Sequence, residues 1–166
     1  MCVGKTTVGR ALAKRLNCRF YDLDWYIEER YHTKVSKIFA EEGEQRFREL
    51  EQRMLHEAAA FEDVVLSCGG GTPCFFDNVD YMNSVGHTFY LKASVQTILE
   101  HLAMSKGVRP LLQNKTPEEL CTFVTEQLAE REPFYQKAQH EIDVNVLDSF
   151  DKIEYVVDEI MRKISA

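Results

Sequence analysis

The chain carries a single tryptophan and four prolines in 166 residues, and its five cysteines include no C-x-x-C pair. Scattered cysteines in an odd number exclude a disulfide framework or a zinc-ribbon site, and imply reduced, mostly buried thiols in a cytoplasmic protein. The five histidines likewise show no H-x-x-x-H spacing, which leaves no pattern for a protein-bound structural metal. No apolar run approaches membrane-spanning length, and the first twenty residues lack the design of a secretory signal. Positive charge is in short supply, with 20 Lys and Arg against 27 Asp and Glu for a net charge of −7. That balance argues against nucleic acid or an anionic membrane as a main partner. Small anionic ligands stay open, because a few arginines can cluster inside an acidic protein. Repeats and low-complexity tracts are absent, and the length of 166 residues implies one domain, residues 1–166, which is expected to be a monomer.

What is present starts at the first residues. Gly4-Lys5-Thr6-Thr7, preceded by Val3, fits the closing half of the phosphate-binding pattern G-x-x-x-x-G-K-[ST]. In that motif the backbone N–H groups and the helix N-terminus cradle phosphate oxygens. The lysine reaches the outer phosphates, and the hydroxyl binds Mg²⁺. The opening glycine and the strand that should precede it are missing from the sequence, so an N-terminally shortened form of a natural chain is expected. Val8, Leu12 and Leu16 continue the motif as a helical stripe ending near Asn17.

Beyond this helix, strands and helices alternate. Strands are expected at 19–23, 63–67, 87–91 and 142–146. Helices are expected at 25–32, 35–42, 44–61, 77–85, 94–104, from Pro117, and at 149–164, with a break at Pro133. Alternation of this kind implies right-handed β-α-β units and a parallel α/β/α sheet, here without its first central strand. Ligands in such sheets bind at the carboxyl ends of the strands. The unusual residues fall there: Asp22 and Asp24 after one strand, Gly69, Gly70 and Gly71 after the next.

Each group has a plain structural explanation beside a chemical one. Asp22-Leu23-Asp24 can hold Mg²⁺ and accept a hydroxyl proton, or merely cap a helix. Arg48 and Glu51 are spaced as an i, i+3 ion pair, and most such pairs lie on the surface, which favours that reading. Three successive glycines lose much chain entropy on ordering, so they imply a close backbone approach to a ligand. Arg109, in the polar stretch 105–116, suits a lid over phosphates, while Arg131 could simply complement a helix end.

In order along nearly the whole chain, GKTTVGRALAKRL, FYDLDWYIE, EGEQRFRELE, VVLSCGGGTP, VRPLL and REPFYQKA together resemble shikimate kinases of the phosphate-loop kinase fold. The resemblance implies ATP-dependent phosphorylation of the shikimate 3-hydroxyl, with ATP and Mg²⁺ as cofactors. It assigns Val3, Gly4, Lys5, Thr6 and Thr7 to nucleotide, and Thr6 with Asp22 to the metal. Asp24, Arg48, Gly69, Gly70, Gly71 and Arg131 go to shikimate, within a substrate region at 25–61. Lys5, Asp24 and the lid residue Arg109 are the implied catalytic groups. The segment before Arg109 lacks the arginine that many relatives pack on adenine; Lys106 stands in that segment. Two alternatives remain: another small-molecule kinase of this branch, such as a gluconate kinase, and a non-catalytic ligand-binding relative.

Overall fold

In the computed structural model, which describes residues 3–104, 116–145 and 150–165, strands and helices alternate as expected. The order is α1 (Lys5–Leu16), β1 (Arg19–Asp22), α2 (Leu23–Tyr31), α3 (Val35–Ala59) and β2 (Val64–Ser67). A 3₁₀ turn (Thr72–Cys74) leads to α4 (Asn78–Val85), β3 (Phe89–Lys92), α5 (Val95–Met104), α6 (Pro117–Tyr135), β4 (His140–Asp143) and α7 (Phe150–Ile164). Asn17 closes α1 in the left-handed conformation, φ 53°, donating its N–H back to the last turn. Thr116 opens α6 with a reciprocal capping box: its hydroxyl accepts from the Glu119 N–H, while the Glu119 carboxylate accepts from its own N–H.

Gly43 is non-helical, with φ 82° and ψ 169°, so α3 consists of two helices that meet at a kink there, as the sequence pattern implies. Other boundaries depart from that pattern. Pro133 does not break α6, which continues to Tyr135. Pro133 forfeits its own N–H bond and crowds the preceding turn, but only Phe134 and Tyr135 follow it in the helix. β4 starts two residues earlier than expected and ends three earlier, its register pairing Phe89 with His140 and Lys92 with Asp143.

Both strand pairs are parallel, β1 with β2 and β3 with β4, but β2 and β3 do not hydrogen-bond to each other. Between them lies a cavity of about 650 Å³ whose lining includes Val8 and Leu12 of α1, Val65 of β2 and Leu91 of β3.

Two apolar clusters flank the strands. One gathers Val8 and Leu12 of α1 with Ile98, Val124 and Ile142, and with Val156, Val157 and Ile160 of α7. The other joins α2 to α3 through Leu23, Ile27, Ile38, Phe47, Leu50, Met54 and Leu55. Gly9 is required where α1 crosses β1, since a Cβ there would lie 2.6 Å from the Phe20 ring. These contacts place the start of α1 and the ends of β1 and β2 beside one another. None of the helices among the described residues is long and apolar enough to cross a membrane.

Candidate functional site

The site begins where α1 begins. Gly4 takes φ 79° as the N-cap of α1, a left-handed conformation that suits glycine. Val3 is buried behind it, while Thr7 is exposed on the first turn. The Ser67 hydroxyl donates to the Lys5 carbonyl at 3.2 Å, which fastens the end of β2 to the loop. Thr6 Oγ1 donates to Asp22 Oδ2 at 3.1 Å. Asp22 uses its other oxygen to accept the Asp24 N–H at 3.2 Å, so it caps α2 and faces Thr6 at once. The capping and chemical explanations for the two acids therefore divide between them. Asp22 is the cap, and Asp24 projects from the first turn of α2.

Burial pushes the Asp24 carboxyl up to about 6, and the negative charges of Asp22 and Glu51 add to the effect, while Lys5 opposes it. A carboxyl poised there can exchange a proton near neutral pH.

Arg48 is not the surface residue its spacing suggested. It is 8% exposed and its partner Glu51 only 1%. Arg48 Nη1 donates to Glu51 Oε2 at 2.8 Å and Nη2 to Glu44 Oε1 at 3.1 Å. The Phe75 ring centroid lies 4.2 Å from the guanidinium carbon, with Phe47 at 5.2 Å. The other Glu51 oxygen accepts from the Thr72 hydroxyl at 2.7 Å, and Asn78 donates to the Thr72 carbonyl at 2.8 Å. This buried chain ties α3 to the turn after the three glycines.

The glycines explain themselves by what surrounds them. A Cβ on Gly71 would fall 2.5 Å from Arg48 Nη2, and one on Gly69 would fall 3.5 Å from Asp24 Oδ1 and 3.6 Å from Glu51 Oε1. Gly70 presents its carbonyl to the Tyr135 hydroxyl at 2.6 Å. Arg131, one turn earlier on α6, lines the mouth of the central cavity together with Lys5, Gly69 and Gly70. Burial raises the Cys74 thiol against the lowering charges of Arg131 and Arg48, so both guanidinium groups bear on one spot. The bulk of that cavity is apolar sheet interior; only this polar mouth belongs to the site.

Of the residues singled out in the sequence, Lys5, Thr6, Asp22, Asp24, Arg48, the three glycines and Arg131 converge here. Arg109 and most of the 105–116 stretch lie outside the described residues. The sequence reading passed over Thr72, Tyr135 and Phe75, and placed Glu51 on the surface. Only Glu51 had a signal, its i, i+3 spacing from Arg48 on a helix whose Phe47 and Leu50 face the core. The thiols depart in part from expectation: Cys18, Cys68 and Cys74 are half-buried, but Cys121 is exposed.

Comparison with known proteins gives one consistent family. The shikimate kinase family model matches residues 1–165. The shikimate kinase of Phocaeicola vulgatus is 49% identical over 165 residues, covering 99% of this chain and 94% of its own length. The solved shikimate kinase from Bacteroides thetaiotaomicron superposes with a TM-score of 0.97 at 45% identity, covering 100% of this chain and 94% of that one. A structure of the Acinetobacter baumannii shikimate kinase in complex with shikimate gives a TM-score of 0.85 at 32% identity, covering 98% and 89%.

Proposed function

We propose roles for the site residues of a chain that belongs to the shikimate kinase family and transfers the γ-phosphoryl group of ATP to the 3-hydroxyl of shikimate, releasing ADP. Asp24 takes the hydroxyl proton as the shikimate oxygen attacks the γ-phosphorus. The bond to the bridging oxygen breaks, and ADP leaves with that oxygen. One observation carries this reading: a half-buried carboxyl shifted to about 6 stands beside Lys5 on one side and the Gly69 turn on the other. Arg48 and Arg131 grip the shikimate carboxylate, with Gly69, Gly70 and Gly71 admitting the ring close to backbone.

Val3, Gly4, Lys5, Thr6 and Thr7 form the nucleotide end. The start of α1 supplies N–H groups to phosphate oxygens, and Lys5 offsets the charge that develops on the transferring group. Thr6 and Asp22 are the residues that would hold Mg²⁺. Their oxygens stand 3.1 Å apart, close to the ~3 Å that separates neighbouring ligands on an octahedral ion with ~2.1 Å bonds. When bound, the ion neutralises phosphate charge. Arg109, which lies outside the described residues, is assigned a second positive charge at the transferring phosphate. The chain is proposed to act as a single-domain monomer in the cytoplasm.

Phosphorus NMR of the product tests the placement of Asp24. A single new ester coupled to the proton on carbon 3 is expected, and an ester at another hydroxyl would contradict it.

A further inference from the structure

The mechanism above leaves Tyr135 unused, yet it makes one of the most specific contacts in the site. Its hydroxyl donates to the Gly70 carbonyl at 2.6 Å. Its ring packs on Tyr90, centroids 5.0 Å apart, and the Tyr90 hydroxyl in turn donates to Glu132 at 2.6 Å. The ring packing, which does not need the Tyr90 hydroxyl, sets the Tyr135 ring beside β3. On α6 Tyr135 lies four residues after Arg131, so the two side chains share a face. Burial raises the phenol above its ordinary value, partly countered by the Arg131 charge, so it stays a donor at working pH.

A trans peptide is planar, and its C=O and N–H point in opposite directions. Holding the Gly70 carbonyl toward α6 turns the Gly71 N–H away from α6. Two flanking glycines leave this peptide free to rotate, because neither side carries a Cβ. Among the described residues, neither the Gly70 nor the Gly71 N–H has a backbone acceptor. Gly71 also lies against the Arg48 guanidinium.

We propose that Tyr135 is a positioning residue: by fixing the Gly70 carbonyl it aims the Gly71 N–H at shikimate, and it couples that donor to Arg131 through one face of α6. The proposal rests on the shikimate reading of this site. It makes α6 the source of a charged group for the substrate and of the constraint on a backbone donor.

Calorimetric titration of Tyr135→Phe in this chain tests it, because phenylalanine keeps the ring packing and removes only the hydroxyl. The shikimate Kd should rise about five- to tenfold, the loss expected for one hydrogen bond, while the ATP Kd stays within about twofold. Tyr90→Phe is the control, since it removes a hydroxyl bonded to the same helix that does not touch Gly70. That variant should keep the shikimate Kd of the unmodified chain. An unchanged shikimate Kd in Tyr135→Phe, or an equal rise in Tyr90→Phe, would overturn the positioning role. Failure of the unmodified chain to bind shikimate would defeat the shikimate reading, and the proposal with it.

Discussion

Asp24 is held where ionisation costs the fold something and gains the chemistry something. Its folded pKa, about 6, lies above the ordinary carboxylate value because of burial and the neighbouring charges of Asp22 and Glu51. The folded state therefore binds this proton more tightly than the unfolded chain does. Stability is lost as the pH rises from about 4 through 6, in the sense opposite to a salt-bridged aspartate. Asp24→Asn should accordingly melt higher than the unmodified chain at pH 7.5, by roughly 3 kcal/mol in stability, with the difference vanishing below about pH 4. Its turnover should fall at least ~100-fold, and the unmodified enzyme should lose kcat/KM as the pH drops through 6. Thermal melts and a pH–rate profile check both; a variant that is destabilised at pH 7.5 would show that Asp24 is a structural anchor. Arg48 and Arg131 differ in what their loss does. Arg131 is half-buried and outside the Glu51 cluster, so Arg131→Ala should raise the shikimate KM by ~10-fold or more with little loss of stability. Arg48→Ala also strands Glu51, a buried carboxylate, and should cost roughly 3–5 kcal/mol of stability besides. Steady-state kinetics paired with urea melts separate the two.

Among the elements, the turn after β2 depends most closely on small residues. Gly71→Ala pushes a methyl to within 2.5 Å of Arg48 Nη2, so either the turn or the guanidinium must move. The expected result is a shikimate KM raised by roughly tenfold, with nucleotide affinity near normal; equal weakening of both ligands would indicate general disruption instead. The turn was partly legible in the sequence, because three glycines after an apolar strand imply close approach. Its partners were not, because Thr72, Phe75 and Tyr135 carry no periodic signal and act only once α3, α4 and α6 converge. The strands and helices were legible from alternation and capping, down to the left-handed Asn17. Pro133 misled because proline is read as a breaker without regard to how near the helix end it falls. Arg48 and Glu51 misled differently. Their spacing is the same for a surface pair and a buried one, and only the packing of Phe47, Leu50 and the glycine turn decides which.

At the scale of the whole molecule, an acidic protein presents a basic and polar site at one end of its strands. Net charge −7 coexists with Lys5, Arg48 and Arg131 converging at the carboxyl ends of β1 and β2, where parallel sheets bind their ligands. α1 is proposed to face phosphates with its first turn, and its Gly9 seats it on β1 against Phe20. α7 covers the far side through Val156, Val157 and Ile160, with Arg15 of α1 bonded to Asp158 at 2.8 Å. The proposed roles put substrate recognition on α2, α3 and α6 and nucleotide recognition on α1. Lys5→Ala should then cut kcat by ~100-fold or more, about 3 kcal/mol of transition-state stabilisation, while leaving shikimate binding nearly intact. The most direct test of the account is ADP release measured with shikimate and with gluconate as acceptors, for the unmodified chain and for Lys5→Ala. The account predicts turnover that depends on shikimate, is absent with gluconate, and collapses in Lys5→Ala. Turnover of gluconate without turnover of shikimate, or near-normal shikimate turnover in Lys5→Ala, would contradict it.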